Sequence, residues 1–184
     1  MLHTRFRTGV RSGNKWIMAF VFCCGLFAAG SVRAEGEMPL PQGIRFDYLL
    51  VEKSKRLLTA YADGQAVRAY RVSLGTSPEG AKEFQGDCKT PEGIYFVDGK
   101  NPRSRYYKNL GVSYPSPADR AHAAQYGKSP GGDIKIHGLG PKFRILGSMQ
   151  WLYDWTLGCI AVTDEEIDEL YAHTPVGTTI EIRP

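Results

Sequence analysis

Two short segments carry most of the chemistry that this sequence offers. Residues 154–163 read Asp-Trp-Thr-Leu-Gly-Cys-Ile-Ala-Val-Thr, and residues 134–138 read Ile-Lys-Ile-His-Gly. In the first segment, the glycine before Cys159 allows a sharp backbone turn, and the apolar run after it predicts a strand. The amides of such a turn can form an oxyanion hole for acyl transfer. In the second segment, His137 ends a predicted strand, and histidine is the usual base for a thiol near neutral pH.

Spacing alone leaves this pair of residues open to two interpretations. His137 and Cys159 are 22 positions apart, so only the fold could bring them together. A buried cysteine and a hydrogen-bonded core histidine are the commoner explanation of such residues. We expect His122 and His173 to be structural or surface residues, and the acidic run 164–169 to be a solvated helix start rather than a metal site.

The first 34 residues predict a secretion signal. Basic residues precede a 15-residue apolar stretch, residues 16–30, which is shorter than the roughly 20 residues of a membrane-spanning helix. Val32 and Ala34 supply compact side chains at positions −3 and −1 of a cleavage site. We therefore expect a signal peptide over residues 1–34 and a mature domain over residues 35–184, with no stable membrane span after processing. The alternative is an uncleaved signal anchor.

Charge is concentrated in the predicted leader. The first 34 residues hold five of the 23 Lys and Arg and none of the 19 Asp and Glu, which leaves the rest with a net charge of −1. A nearly neutral body does not attract phosphate backbones, so we expect no nucleic-acid partner. The length of the mature chain suits one domain that buries its own core.

The hydrophobic pattern predicts a mainly β domain with two or so short helices. Residues 44–51, 94–97, 134–137 and 176–182 are predicted strands, and Asp63-Gly64 joins two apolar runs, 57–62 and 65–74, into a predicted hairpin. Ser116-Pro117 is a helix start with proline at the first helical position, and Thr163 with Glu166 forms a capping-box pattern.

Two cysteines, Cys88 and Cys159, remain in the predicted mature chain. In an oxidising compartment two thiols usually form a disulfide, but a bond between these two would consume the candidate nucleophile. Free or transiently paired thiols are the alternative. The sequence lacks CxxC pairs and His/Cys clusters at metal spacing, so we expect neither a metal nor an organic cofactor.

The two segments resemble the His-Gly and Ser/Thr-x-Gly-Cys signature of the L,D-transpeptidases (the YkuD-like domain). The resemblance extends over nearly the whole predicted mature chain, through residues 74–75, 86–87, 90–95, 113–115, 130–133 and 177–182, and points to the exported Gram-negative branch. It implies a β-sandwich-like catalytic domain in the periplasm.

The resemblance also implies a mechanism. Such enzymes attack the carbonyl of the third stem-peptide residue of peptidoglycan, diaminopimelate, and release D-Ala. The acyl group passes to an amine of another stem, making a 3→3 cross-link, or to a lysine of an outer-membrane lipoprotein, or to water. Carried over to this chain, Cys159 is the nucleophile, His137 the base, and Gly158 and Cys159 supply oxyanion amides. Thr156 takes the Ser/Thr position.

We expect Gly138, Tyr114 and Arg144 to contact substrate. Two positions depart from the family pattern: Leu157 stands where many members have His or Asp, and Ala161 where many have Arg or Asn. Leu157 cannot orient His137, so another group such as a backbone carbonyl must do so. Ala161 cannot bind a substrate carboxylate, for which Lys142, Arg144 and Arg105 are the candidates.

Three functions therefore remain open at this point. The first is an exported L,D-transpeptidase in cell wall biogenesis. The second is a hydrolase that uses the same acyl-enzyme, either an L,D-carboxypeptidase or an amidase that releases lipoprotein. The third is a non-catalytic peptidoglycan-binding module in which Leu157 and Ala161 mark lost activity.

Overall fold

The protein is described by a computed structural model that covers residues 40–184. The predicted signal peptide and its cleavage site lie outside the described residues. The strands are β1 Tyr48–Glu52, β2 Leu57–Ala62, β3 Gln65–Arg71, β4 Gly93–Ser104, β5 Tyr107–Val112, β6 Lys135–His137, β7 Ile160–Ala161 and β8 Thr179–Arg183. The helices are α1 Pro117–Gln125, α2 Gly140–Phe143 and α3 Asp164–His173, with 3₁₀ segments at Lys53–Lys55 and Arg144–Leu152.

The eight strands form one sheet in the order β3-β2-β1-β8-β4-β5-β6-β7. The long strand β4 pairs with β8 through its first residues and with β5 through the remainder, so it turns the corner of the sheet. The sheet curls far enough for its two ends to meet: the chain after β3 pairs with β7 through Ser73 and Ala161, and with the preceding turn through Gly75 and Thr156. The mainly β prediction is confirmed.

The β2–β3 hairpin forms where the sequence predicts it. Asp63 and Gly64 have φ values of 51° and 73°, the left-handed conformation that a two-residue turn between twisted strands requires. The second strand of the hairpin, β3, ends at Arg71 rather than at Leu74, because Ser73 bonds to Ala161 in β7 and Leu74 bonds to Thr156 before it. The predicted strand at residues 44–51 begins only at Tyr48.

Both predicted helix starts are confirmed. Ser116 and Thr163 each accept a hydrogen bond from the backbone amide three residues on, and the acidic residue there bonds back to the cap amide. The third helix, α2, has four residues and was not predicted. None of the helices within residues 40–184 is long and apolar enough to cross a membrane.

The core fills the inside of the curled sheet and the space under α3, which packs on β5 and β6. Its largest fully buried side chains come from both halves of the sheet and from α3, namely Phe46, Leu49, Leu58, Leu74, Leu110, Ile136, Ile160, Ile167, Leu170, Ile180 and Ile182. Because β6 and β7 lie at one end of this core, the residues at their ends are held on a rigid base.

Candidate active site

A tight turn delivers Cys159 to the start of β7. Gly158 has φ of 128°, and a Cβ at this position would stand 2.6 Å from the carbonyl oxygen of Lys89, so only glycine fits. The buried hydroxyl of Thr156 accepts a hydrogen bond from the Gly158 amide (3.1 Å) and donates one to the Cys159 carbonyl (2.8 Å). The single hydroxyl of Thr156 therefore fixes the backbone of the two residues that end the turn, Gly158 and Cys159.

The two amides expected to bind the oxyanion, those of Gly158 and Cys159, differ in their hydrogen bonding. The Gly158 amide donates to the Thr156 hydroxyl in this structure, so its expected role as an oxyanion donor stays a prediction. The Cys159 amide has no acceptor within residues 40–184. It is therefore the amide that can receive an oxyanion.

The thiol of Cys159 is half-buried, with Sγ 3.8 Å from the carbonyl oxygen of Asp133. Burial raises the pKa of this thiol above its usual range, and a hydrogen bond from the backbone of Lys135 opposes the shift. The resting group is therefore a thiol rather than a thiolate.

The pairing of β6 with β7 brings His137 to the same side of the sheet as Cys159. The two strands are parallel, with Ile136 opposite Ile160 and His137 opposite Ala161. Because side chains alternate along a strand, Cys159 and Ala161 project to the face that His137 occupies. Cys159 directly precedes β7, and among residues 40–184 no hydrogen bond joins its Sγ to the His137 ring.

The imidazole of His137 has a defined tautomer. Its Nδ1 lies 2.6 Å from the Gly138 carbonyl oxygen, and because a carbonyl can only accept, Nδ1 carries the hydrogen and Nε2 keeps its lone pair. Burial lowers the pKa of His137, although the Gly138 carbonyl opposes the shift. The result is a neutral imidazole with a free basic nitrogen.

Aromatic rings hold the imidazole on two sides. The Tyr106 ring stacks on it at 4.6 Å between centroids, and the Trp155 ring meets it edge-on at 5.7 Å. Trp155 in turn stacks on Phe143 at 4.2 Å. The sequence analysis missed Tyr106 and Trp155, since nothing local to Tyr106 shows that the β4–β5 connection crosses His137.

Asp164 fixes the segment that follows His137. One carboxylate oxygen accepts from the amides of Leu139 (2.8 Å) and Gly140 (3.1 Å), and the other accepts from Arg144 (2.8 Å). The carboxylate is buried rather than solvated, which corrects the expectation for the start of the acidic run. Arg144 holds its own segment through Nε while its side chain is 61% exposed, and its expected contact with substrate stays a prediction.

Gly138 and Tyr114 also have internal roles. A Cβ on Gly138 would stand 2.6 Å from the Asp164 carboxylate, so the glycine lets the chain pass beneath α3, and its carbonyl orients His137. Tyr114 is buried, and its hydroxyl donates to the Pro130 carbonyl (2.9 Å). The structure thus gives both residues internal hydrogen bonds, and their expected contact with substrate stays a prediction.

Both cysteines are free thiols in the structure. Cys88 lies in the loop that packs on Gly75 and Gly158, with φ of 56°. Within residues 40–184, no group of three or more His, Cys, Asp or Glu side chains could hold a metal ion.

A groove of about 290 Å³ adjoins His137 through the ring of Tyr106. Its lining residues are Arg105, Tyr106, Leu139, Pro141, Lys142 and Phe143. A second groove, of about 450 Å³, is lined by residues 43–45, Lys100 and residues 172–175 at the far end of α3 from Thr163.

Comparison with known families fits this geometry. Residues 47–182 match the L,D-transpeptidase catalytic domain family, YkuD. The chain belongs to this family. It is 31% identical over 130 residues to YafK from Escherichia coli K12, a protein named for the L,D-transpeptidases, and this match covers 67% of the chain and 45% of YafK. It is 27% identical over 168 residues to YqjB from Bacillus subtilis, named for the same family, across 90% of the chain and 85% of YqjB.

Two solved structures share the fold. A crystal structure of the helical cell shape determining protein Pgp2 from Campylobacter jejuni aligns with a TM-score of 0.55 and 26% identity, covering 76% of this chain and 47% of Pgp2. Bd1075 from Bdellovibrio bacteriovorus aligns with a TM-score of 0.54 and 22% identity, over 79% of this chain and 50% of that protein. The chain spans about half the length of YafK and of Pgp2.

The structure accounts for both departures from the family pattern. The side chain of Leu157 is 77% exposed and leaves His137 to be oriented by the Gly138 carbonyl. Ala161 is fully buried between β6 and the residue Ser73, so a long cationic side chain has no room at this position.

Proposed function

We propose that this member of the L,D-transpeptidase family is an exported cysteine acyltransferase of peptidoglycan. The observation that carries the proposal is the bond between His137 Nδ1 and the Gly138 carbonyl, which leaves Nε2 as a base on the sheet face that bears Cys159. The family membership of residues 47–182 supports the same chemistry.

The reaction begins with a neutral pair. The Cys159 thiol attacks the carbonyl of the third residue of a tetrapeptide stem and gives its proton to His137 Nε2 as the carbon–sulfur bond forms. The oxyanion of the tetrahedral intermediate accepts a hydrogen bond from the Cys159 amide. The intermediate then collapses, and the protonated His137 returns the proton to the leaving amine of D-Ala.

An acceptor completes the cycle. An amine enters the vacated position, loses its proton to His137 and attacks the thioester, which restores the Cys159 thiol. The amine is that of a second stem peptide, which gives a 3→3 cross-link, or a lysine of an outer-membrane lipoprotein. Water in the same position would give a carboxypeptidase or an amidase.

Product analysis separates these functions. Purified protein is incubated with disaccharide-tetrapeptide, and the products are followed by liquid chromatography and mass spectrometry. We expect loss of D-Ala and a tetrapeptide–tripeptide dimer. Tripeptide without dimer would assign a carboxypeptidase, and binding to sacculi without any product from fully reduced protein would assign a binding module.

The cellular location is part of the proposal. The basic leader, the short apolar stretch and the Val32-Arg33-Ala34 sequence support export and cleavage before Glu35. Intact-mass measurement of protein recovered from the periplasm should find Glu35 at the N-terminus. Protein that begins at Met1 would contradict the cleaved leader.

A further inference from the structure

The groove beside Tyr106 carries two cations with no carboxylate partner, and one of them, Lys142, has its Nζ 5.2 Å from the centroid of the Phe143 ring. Arg105 and Lys142 line it and are exposed to solvent, and neither side chain has a carboxylate within 4 Å among residues 40–184. The third basic residue of this region, Arg144, is paired with Asp164. Some exposed cations elsewhere in the described residues are paired with carboxylates, as Lys55 and Arg183 are, and others, such as Arg103, are not. The groove differs because it has two cations without a carboxylate partner in its lining, which makes it a positive patch.

The segments that bear these two cations are in close contact beside the groove. Gly140 has φ of 63°, and a Cβ at this position would stand 2.7 Å from the Arg105 carbonyl oxygen and 2.9 Å from Tyr106 Cα. The glycine thus allows α2, which bears Lys142, to pack directly on the β4–β5 connection, which bears Arg105. The Asp164 carboxylate holds the amide of Gly140 in that place.

The groove shares a wall with the proposed catalytic base. The ring of Tyr106 lines the groove and stacks on His137 at 4.6 Å, so a molecule in the groove lies one ring from the imidazole. Its other walls are apolar, from Leu139, Pro141 and Phe143. Low-polarity walls strengthen the attraction between a cation and an anion beside them.

We propose that Arg105 and Lys142 form a carboxylate-binding subsite that selects the acyl donor. This inference rests on the proposed function and names the substrate group that the site recognises. The ligand is a carboxylate of the donor stem peptide. It replaces the recognition that a cation at position 161 would give, since Ala161 is fully buried.

Three carboxylates of a tetrapeptide stem could supply this group: the terminal carboxylate of D-Ala, the side-chain carboxylate of the third residue, and the carboxylate of the second residue. Amidation removes each charge singly while it preserves shape. The subsite therefore predicts that one of the three amides binds more weakly than the parent peptide. The amide that binds more weakly identifies the carboxylate that the subsite recognises.

Binding is measured by calorimetry on the whole chain with Cys159→Ala, which prevents turnover. We expect the critical amide to bind about tenfold more weakly than the parent peptide. In the Arg105→Gln/Lys142→Gln double variant, the parent peptide should also bind about tenfold more weakly. The ratio between the Kd of the critical amide and that of the parent peptide should then fall to about one. In the chain that keeps Arg105 and Lys142, added salt should reduce this Kd ratio, because salt screens the attraction between the cations and the carboxylate.

Arg103→Gln is the matched control, because Arg103 is an exposed cation on β4 that does not line the groove. It should retain the full preference. Equal binding of the parent peptide and all three amides, or a double variant that keeps the preference, would overturn the subsite while leaving turnover by the wild-type chain intact. Failure of the proposed function differs: the wild-type chain would then not convert the parent peptide, whether or not it binds it.

Discussion

At the scale of single residues, Thr156 holds the turn before Cys159 through one hydroxyl. Thr156→Val removes its bonds to the Gly158 amide and the Cys159 carbonyl. We expect a loss of about 1–3 kcal/mol in the free energy of unfolding, because buried groups lose their partners, and a fall of about tenfold or more in kcat/KM, because the nucleophile is less well placed. Denaturant unfolding and steady-state kinetics measure the two effects.

Thr156→Ser is the control for this prediction. It keeps the hydroxyl and should retain most of the activity. A valine variant as active as the wild type would show that the hydroxyl does not position Cys159.

The protonation of His137 and Cys159 predicts the pH profile. Burial lowers the pKa of His137 and raises that of Cys159. The neutral imidazole is the active form, so kcat/KM should fall with decreasing pH only below about 6.5, the ordinary histidine value. Above that pH it should stay flat as long as the thiol is protonated.

Ultraviolet titration of the thiolate provides the second measurement. The difference in absorbance between the wild type and Cys159→Ser should show no thiolate at pH 7. A thiolate at pH 6 would instead indicate a preformed thiolate–imidazolium pair. An acid limb of the profile above pH 6.5 would contradict the lowered pKa of His137.

Residue roles could be predicted from the sequence only where a local pattern fixes them. The glycine before Cys159 and the position of His137 were visible as patterns, but the roles of Tyr114 and Arg144 depend on Pro130 and Asp164, which lie 16 and 20 positions away. No local pattern shows whether a basic side chain is already paired. The contact of Tyr106 with His137 was not predicted either, because the two residues are distant in the sequence.

At the scale of elements, α2 packs closely on the β4–β5 connection, and two glycines test this contact. Gly140 and Gly147 both have positive φ, 63° and 48°, but a Cβ at Gly140 meets the Arg105 carbonyl at 2.7 Å, whereas at Gly147 nothing lies within 4 Å. We expect Gly147→Ala to cost about 1–2 kcal/mol from backbone strain alone, and Gly140→Ala about 3 kcal/mol or more, because backbone must also move.

Denaturant unfolding gives both values, and peptide binding gives a second readout. Gly140→Ala should weaken binding of the stem peptide by moving Lys142 away from Arg105, and Gly147→Ala should not. Equal losses of stability in the two variants would mean that the contact between α2 and the β4–β5 connection is loose.

Elements were predictable where turn and cap chemistry is local. The hairpin at Asp63-Gly64 and the caps at Ser116 and Thr163 are short-range features, and all three formed. The second half of β4 and the whole of β5 were missed, because Gly99, Pro102 and several charged residues there have low strand propensity. Pairing with neighbouring strands overrides that propensity.

At the scale of the whole molecule, the candidate site exists because the sheet curls until its ends meet. Ser73 exchanges backbone hydrogen bonds with Ala161, at 3.0 and 2.9 Å, and Thr156 donates to the Leu74 carbonyl at 3.1 Å. These bonds join residues about 80–90 positions apart, so the hydrophobic pattern of single strands could not predict them. The family resemblance implies the overall fold without identifying these contacts.

The most direct test of the account is intact-mass spectrometry of reduced protein after incubation with a carbapenem, an acylating agent for thiol nucleophiles of this kind. We expect one adduct in the wild type and in Cys88→Ser, and the peptide map should place it on Cys159. No adduct should form in Cys159→Ser, and the reaction should be much slower in His137→Gln. An adduct on Cys88, or fully reduced wild-type protein that stays unmodified, would contradict the assignment of Cys159 as the nucleophile.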